Sequence, residues 1–204
     1  MKKKSLTKRQ QQAIETKNII YNAAIELMDA EGFDNITIAD ISEKAGVSVG
    51  SFYHYFKSKH DILAEIFHKG DEYFLENVKG KLKSRTSRDK ILEFFEHYAR
   101  FNVLTTVETA SQLYNPKVKF FIEKNRPMIS LIEEIIQEGV DSGQLITHWD
   151  VWELVRMLII FSRGIVFDWS LHDGDYDLEE TMNSYMRLFV EALLPNAPSD
   201  CPDR

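Results

Sequence analysis

Residues 37–59 read TIADISEKAGVSVGSFYHYFKSK. The first part of this stretch predicts a short helix, because Thr37 is a good N-cap residue and Asp40, three positions later, completes an approximate capping box. The inner face of that helix is marked by apolar residues at helical spacing, namely Ile38, Ile41 and Ala45. Gly46 follows, and glycine is the residue best suited to the left-handed turn that ends a helix.

A second short helix is predicted directly after this turn. Ser48 is its N-cap, and its inner face carries Phe52, Tyr55 and Phe56. The residues left on the outer face are Val49, Gly50, Ser51, Tyr53 and His54. Two short helices joined by a glycine-centred turn form the helix-turn-helix pattern.

The outer face of the second helix has chemistry that suits DNA. Gly50 allows the backbone to approach a phosphate or base edge closely, and Tyr53 and His54 can donate or accept hydrogen bonds. The alternative is a purely structural helix hairpin within an all-α core, with Tyr53 and His54 as ordinary surface residues. Spacing alone favours DNA binding but leaves both interpretations open.

The same residues resemble the signature of the TetR/AcrR family of bacterial transcriptional regulators. The resemblance covers about fifty residues, 18–67, and is densest in the segments 32–33, 37–41, 45–48, 50–56 and 57–59. It does not extend with any specificity into the remaining two thirds of the chain. Many family members carry Lys where this chain has Val49, so a DNA contact made there cannot be carried over.

The resemblance to this family implies an N-terminal DNA-binding domain and a C-terminal domain for dimerisation and ligand sensing. The implied function is that of a ligand-responsive repressor, a homodimer whose two recognition helices enter successive major grooves of a palindromic operator. The residues implied to contact DNA are Thr37, Ser48, Gly50, Ser51, Tyr53, His54 and Lys59.

The charge distribution is compatible with a nucleic-acid partner. The 204-residue chain has a net charge of −7, yet residues 1–59 hold 9 Lys and Arg against 7 Asp and Glu. The acidic excess therefore lies outside the predicted DNA-binding part. Residues 1–12 form a Lys/Arg/Gln-rich arm, which is either an inert solvated terminus or an additional contact to DNA.

Composition also indicates where in the cell the protein is located. The chain has one cysteine and so cannot form an internal disulfide, and no apolar run follows the basic N-terminus as a signal peptide would require. The longest apolar stretch, residues 154–169, is interrupted by charged residues and is too short for a membrane span. We therefore expect a cytoplasmic protein with no membrane association.

Helical periodicity without strand-like alternation predicts an all-α fold of about nine helices. The expected domains are an arm and helix-turn-helix domain over 1–57, a linking helix over 58–80, a ligand-sensing and dimerisation domain over 81–195, and a flexible tail over 196–204. The first helix is predicted to start near Ala13. Another is predicted from Asn115-Pro116 to Ser142, with Pro127 as a kink or break.

The helix predicted over residues 151–170 is apolar on nearly every side and must be covered on several of them. Together with a last helix near 178–194, it is expected to pair with its copy in a homodimer as a four-helix bundle.

A small-molecule effector, largely apolar, is expected to bind between the helices of the second domain. The residues taken as candidate ligand contacts are His97, Phe101, Asn102, Trp152 and Phe161. Arg163 is a further polar residue on an otherwise apolar helical face, and each of these polar residues has the alternative of being a satisfied structural group.

No catalytic, metal or cofactor site is predicted. Residues 173–177 alternate acidic residues as a calcium loop does, but Leu178 and Ser184 stand where such a loop needs Gly and Glu. Two other function classes stay open at this point. One is an all-α protein-interaction module with a structural helix-turn-helix, and the other is a small enzyme with an apolar pocket.

Overall fold

The computed structural model describes residues 7–113, 121, 123, 125–145 and 147–193. Over these residues the chain forms nine helices and no strands, which confirms the all-α prediction. In chain order the helices are α1 (Lys8–Glu31), α2 (Ile38–Lys44), α3 (Val49–Tyr55), α4 (His60–Asn77), α5 (Ser87–Leu104), α6 (Val107–Leu113), α7 (Pro127–Asp141), α8 (Val151–Leu171) and α9 (Leu178–Leu193). In the part of the chain that is described, no helix has both the length and the apolarity needed to cross a membrane.

The chain divides into two compact units between Ile66 and Phe67. This division falls within α4, and therefore inside the segment that the sequence predicts as a linking helix. Each unit has its own apolar core.

The first unit is built around the inner faces predicted for α2 and α3. Its core consists of apolar side chains that are at most 4% exposed, namely Ile20, Ala24, Met28, Phe33, Ile36, Ile41, Phe52, Phe56, Ile62, Leu63 and Ile66. Gly32 ends α1 with a φ of 81°, and Gly46 forms the turn between α2 and α3 with a φ of 66°. Both angles lie in the region that favours glycine.

The start of α1 differs from the prediction. The helix begins at Lys8, five residues before Ala13, because Thr7 caps it. The Thr7 side chain accepts a hydrogen bond from the Gln10 backbone N–H, and the Gln10 side chain accepts one from the Thr7 backbone N–H. Lys8 and Arg9 therefore belong to a helix and not to an irregular arm, whereas residues 1–6 of that arm lie outside the described residues.

The second unit packs α5 against α7 and α9, and α8 against α6, α7 and α9. Its core is rich in aromatic and aliphatic side chains that are fully buried, including Phe74, Phe94, Phe95, Ile132, Ile136, Leu154, Leu158, Met182, Met186 and Val190. Thr86 and Asp150 cap the starts of α5 and α8. Asp177 likewise accepts a hydrogen bond from the Glu180 N–H at the start of α9.

Pro127 starts a helix in the structure and does not kink one. It occupies the first turn of α7, where its missing N–H costs no hydrogen bond. The predicted helix start at Asn115-Pro116 and the tail 196–204 lie outside the described residues.

The most apolar helix, α8, is not buried on every side. Within the described residues it exposes Ile160 (55%), Phe167 (44%) and Leu171 (64%), and α9 exposes Tyr185 (53%) and Leu188 (67%). These five residues are called the α8–α9 apolar face below.

Candidate DNA-binding surface and effector pocket

The outer face of α3 is defined by what the helix buries. Phe52 is fully buried and Phe56 is 2% exposed, and their rings lie 5.7 Å apart on the core side. Val49 and Tyr53 consequently point away from the core, with exposed fractions of 43% and 53%. Gly50 and His54 are exposed beside them, and Ser51 is half-buried. The structure thus brings Gly50, Tyr53 and His54 together on one exposed surface.

Thr37 and Ser48 serve as helix caps in the free protein. The Thr37 hydroxyl accepts from the Asp40 N–H at 3.2 Å, and the Thr37 backbone N–H donates to Asp40 Oδ2 at 2.7 Å, so both halves of the capping box are formed. The Thr37 hydroxyl also donates to Asp40 Oδ2, at 2.6 Å. These hydrogen bonds from Thr37 lower the pKa of the Asp40 carboxyl. Ser48 accepts from the Ser51 N–H at 3.1 Å. Thr37 and Ser48 are both exposed.

Lys59 has an internal role that its sequence position does not reveal. Its ammonium group donates to the carbonyl oxygen of Ile36 at 2.9 Å and also to that of Phe33. It lies over the Phe33 ring, 4.4 Å from the centroid. Lys59 therefore ties the start of α4 to the turn between α1 and α2, and two of its three donors are used there.

An ion pair between α1 and α4 was not predicted. Lys17 Nζ lies 2.5 Å from Glu65 Oε2, and the Glu65 residue is only 8% exposed. Burial, together with the nearby Glu65 charge, raises the pKa of the Tyr21 hydroxyl. Lys17 and Glu65 are 48 residues apart, so no local pattern could have paired them.

The second unit contains a pocket of about 380 Å³ between α7 and α8, beside Phe121. It is lined by Phe121, Glu123, Ile129, Trp152, Val155, Arg156, Ile159, Ile160 and Arg163. Its volume lies within the range of small-molecule sites, and its lining is mainly apolar with a few charged groups, as such sites usually are. A larger open depression of about 870 Å³ on the outer face of α7 is lined by acidic and polar side chains.

Two arginines face this pocket from the same side of α8. Arg156 and Arg163 are seven residues apart, which places them on one helix face two turns apart. The Arg163 Nη2 donates to the Phe121 carbonyl oxygen at 2.8 Å, and the guanidinium lies 4.5 Å from the centroid of the Phe121 ring. Within the described residues, the buried Nε of Arg163 has no hydrogen-bond partner. The pocket therefore joins an apolar surface to a pair of cations.

Two protein-family models match this chain, one in its N-terminal part and one in its C-terminal part. The family model for bacterial regulatory proteins of the tetR family matches residues 20–66, which include α2 and α3. The family model for the C-terminal region of YsiA-like proteins matches residues 56–192, about two thirds of the chain. The chain belongs to the TetR family.

Relatives of this TetR-family chain are transcriptional regulators. The fatty acid metabolism regulator protein of Bacillus subtilis is 26% identical over 182 residues, covering 85% of this chain and 93% of the relative. The HTH-type transcriptional repressor KstR2 of Mycolicibacterium smegmatis is also 26% identical, covering 78% of this chain and 81% of the relative.

Solved structures share the fold of this TetR-family chain. The crystal structure of FadR from Bacillus subtilis in complex with stearoyl-CoA has a TM-score of 0.73 at 24% identity, covering 86% of this chain and 98% of that one. FadR from Thermus thermophilus, a structure in complex with lauroyl-CoA, has a TM-score of 0.67 at 23% identity, covering 90% and 98%. The prediction of a DNA-binding transcriptional regulator of this family is confirmed.

The residues predicted to contact a ligand lie in different places. Trp152 lines the pocket. Phe161 stacks on Phe189 with ring centroids 4.1 Å apart, and Phe101 packs near Tyr73 with centroids 5.5 Å apart. Sequence reasoning did not select Arg156, although its spacing from Arg163 and Trp152 on one helix was a signal that could have found it.

The two polar members of that predicted set are satisfied within the helical core. Asn102 is buried and donates to the Tyr98 carbonyl oxygen at 2.8 Å. His97 Nδ1 lies 3.1 Å from the Tyr73 hydroxyl, and burial, followed by the nearby Arg100 charge, lowers the pKa of its imidazole. A lowered pKa keeps the ring neutral near pH 7. Neither residue is among those that line the pocket.

Proposed function

We propose that this protein is a repressor that binds a palindromic operator as a homodimer and is released from it by a long-chain acyl-CoA. The observation that carries the proposal is the pocket beside Phe121, in which apolar side chains adjoin Arg156 and Arg163. Such a lining suits an amphipathic anion, because the apolar wall buries a hydrocarbon chain while guanidinium groups pair with phosphate or carboxylate.

The relatives support this class of effector. FadR of Bacillus subtilis and FadR of Thermus thermophilus were solved with stearoyl-CoA and lauroyl-CoA, respectively, and the Bacillus subtilis relative is a fatty acid metabolism regulator. An acyl-CoA combines an apolar chain with a strongly anionic head group. The apolar side chains of the pocket match the acyl chain. Arg156 and Arg163 outnumber the Glu123 carboxylate that also lines the pocket, so a net positive charge is left for the head group.

The proposed dimer forms through the helices near 151–170 and 178–194. The α8–α9 apolar face places five large apolar side chains at the surface of these two helices. Exposed apolar side chains on two helices that pack together are stabilised when a second copy covers them. Size-exclusion chromatography with light scattering tests this proposal on Leu188→Glu, which should be monomeric, whereas Arg85→Glu on an exposed loop should stay dimeric.

DNA contact is proposed through the exposed surface of α3. Tyr53 and His54, both exposed on α3, are proposed to reach base edges or adjacent phosphates, and Gly50 leaves the backbone open to close approach. Thr37 and Lys59 are proposed to hold phosphates at the two edges of the module, and Ser48 and Ser51 complete the proposed set of contacts. In a dimer, two copies of α3 would read half-sites about 34 Å apart or a multiple of that. A protein of this function would act in the cytoplasm.

The proposed response is a shift between two arrangements of the dimer. The effector binds one arrangement more tightly, and that arrangement presents the two copies of α3 at a spacing that no longer fits the operator. α4 begins in the first unit and ends in the second, so it is the described helix best placed to pass on a movement.

The experiment begins with the selection of DNA duplexes from a random library by the purified full chain. Gel-shift titrations on the selected duplex are then repeated with stearoyl-CoA, lauroyl-CoA, stearate and CoA. We expect selective binding that the two acyl-CoA esters weaken and CoA alone does not. A lack of sequence-selective binding by the dimer at moderate salt would overturn the regulator. Selective binding that acyl-CoA esters leave unchanged would overturn the effector assignment.

A matched pair of variants tests the pocket itself. Arg156→Met removes a cation at the pocket while keeping an apolar stem, and Arg85→Met removes an exposed cation elsewhere in the second unit. Isothermal titration calorimetry should show weaker binding of stearoyl-CoA to Arg156→Met by about 1–3 kcal/mol, the usual worth of a charged hydrogen bond. Arg85→Met should match the wild type, and equal losses in the two variants would contradict the proposed pocket.

A further inference from the structure

Four side chains of the second unit are stacked between the pocket and α4. The Arg163 guanidinium lies 4.5 Å from the Phe121 ring centroid. The Phe121 and Phe67 rings meet edge to face, with centroids 4.9 Å apart, and the Arg126 guanidinium lies 4.9 Å from the Phe67 ring on α4. We call Arg163, Phe121, Phe67 and Arg126 the Arg–Phe column.

The α4 end of the column is locked by a buried ion pair. Arg126 Nε lies 3.1 Å from Asp71 Oδ2, and its Nη2 reaches Asp71 Oδ1 and the Phe67 carbonyl oxygen, each at 3.2 Å. Asp71 also accepts from the Met128 N–H and so caps α7 from a distance. Arg126 and Asp71 are only 7% and 9% exposed. Separating the two charges would therefore leave each of them buried without a partner, at a large cost in free energy.

The pocket end of the column is held far less firmly. Arg163 is half-buried. Its Nη2 donates a hydrogen bond to a neutral acceptor, the Phe121 carbonyl oxygen. Within the described residues its buried Nε has no partner. A guanidinium binds a phosphate or carboxylate in a bidentate, charge-assisted manner, which is stronger than one hydrogen bond to a carbonyl. Arg163 therefore has two available arrangements, one on Phe121 and one on an anion in the pocket.

We propose that Arg163 is the residue through which an anionic effector changes the position of α4, by leaving the Phe121 carbonyl for the effector's head group. The inference rests on the function proposed above. Once Arg163 moves, Phe121 loses both a hydrogen bond and a cation on its ring. Its edge-to-face contact with Phe67 then has a new lowest-energy geometry, and Phe67 belongs to α4.

The buried Asp71–Arg126 pair determines which parts of the second unit move together. Because the Asp71–Arg126 pair holds the start of α7 and the Phe67 turn of α4 together, the two shift as one piece. The effector interacts differently with the two arrangements of Arg163, and a differential interaction of this sort is what shifts a conformational equilibrium. Phe67 is thus a positioning residue, whereas Arg163 and Phe121 line the pocket and contact the effector.

The test measures effector binding and DNA release separately in Phe121→Leu and Phe67→Leu. Leucine keeps an apolar side chain but has neither a ring face for a cation nor a ring edge. Phe161→Leu is the matched control, because Phe161 lies on α8 and stacks on Phe189 outside the column. Stearoyl-CoA is the probe, its affinity is measured by calorimetry, and DNA affinity is measured on the duplex selected by the wild type.

In the wild type, stearoyl-CoA should weaken DNA binding by about 5- to 150-fold, the usual range of coupling between two sites. Both column variants should bind DNA without ligand to within about 2-fold of the wild type, as substitutions away from a binding surface usually do. Because Phe121 lines the pocket, its variant is compared at stearoyl-CoA concentrations that calorimetry shows to be saturating for each protein. At saturation the ligand should no longer release either column variant from DNA. Arg163→Met should lose affinity for stearoyl-CoA as well, and Phe161→Leu should retain the wild-type response.

The outcomes separate the two proposals. If stearoyl-CoA does not bind the wild type or does not release it from DNA, the proposed effector is wrong. If the wild type responds and Phe121→Leu responds equally, the Arg–Phe column does not carry the coupling. Phe121 is half-buried, so this variant decides the question even if Phe67→Leu, at a 6% exposed site, does not fold.

Discussion

Lys59 donates a hydrogen bond of 2.9 Å from its ammonium group to the backbone carbonyl oxygen of Ile36, and so joins the start of α4 to the residue just before the α2 cap. A second hydrogen bond reaches the Phe33 carbonyl. A residue implied to be a DNA contact is therefore also a brace within the domain that holds α3. The phosphate contact stays a prediction, and the brace sets how it must be tested.

Lys59→Met should lower the stability of the first unit, because it leaves two carbonyls without their charged donor. We expect a loss of about 1–3 kcal/mol in the free energy of unfolding, measured by urea denaturation. DNA affinity should fall alike for all sequences. If Lys59 also holds a phosphate, the slope of log K against log[salt] should fall in magnitude by about 0.9, and an unchanged slope would leave Lys59 with the brace alone.

Tyr53→Phe should affect DNA recognition without affecting folding. Tyr53 is 53% exposed on the outer face of α3, so removal of its hydroxyl should leave the melting temperature unchanged. Discrimination between the selected duplex and single-base variants should fall by about 1–3 kcal/mol at one position. Tyr55→Phe, at a half-buried position of the same helix, is the control. A uniform loss across all sequences would instead assign Tyr53 to a phosphate.

Val49→Lys should strengthen DNA binding. Val49 is 43% exposed at the first position of α3, so a lysine there extends into solvent without strain. Each added phosphate contact makes the salt slope steeper by about 0.9, and affinity should rise for every sequence at low salt. Gel-shift titrations over a series of salt concentrations measure both. An unchanged slope would show that this position does not face the DNA backbone.

Gly50→Ala should stabilise the protein and weaken its binding to DNA. A Cβ at Gly50 would meet only the Ser48 hydroxyl oxygen, at 3.8 Å, so the helix gains about 0.5–1 kcal/mol from the loss of glycine flexibility. The same Cβ would stand between the backbone and a closely approaching duplex. Thermal melting and gel shifts measure the two effects, and equal DNA affinity in the variant would show that the backbone does not approach closely here.

Arg126→Met should destabilise the protein by about 3–5 kcal/mol, because it leaves the carboxylate of Asp71 buried without its partner. The matched control is Arg100→Met. Arg100 pairs with Glu179 at 3.1 Å, but the two side chains are 50% and 39% exposed, and such a pair contributes about 0–1 kcal/mol. Equilibrium denaturation of both variants tests this difference, and similar losses would contradict a buried role for the Arg126 pair.

Sequence reasoning worked best where structure depends on near neighbours. The predicted caps at Thr37 and Ser48 are present, because each involves a side chain and a backbone N–H three residues away. The missed start of α1, at Lys8, had the same kind of signal in Thr7 and Gln10. Pro127 was predicted as a kink or a break, and it stands in the first turn of α7, where a new helix starts.

By itself, the sequence determined an all-α regulator with its recognition helix at residues 49–55, because helix periodicity, caps and a dense family motif are local properties of the chain. Only the tertiary structure decided which charges are buried and which side chains meet. Lys17 forms an ion pair with Glu65, which is 48 residues away in the sequence, and Asp71 pairs with Arg126, which is 55 residues away. The pocket beside Phe121 and the Arg–Phe column arise in the same way, since helices distant in sequence must pack together before their polar groups can pair.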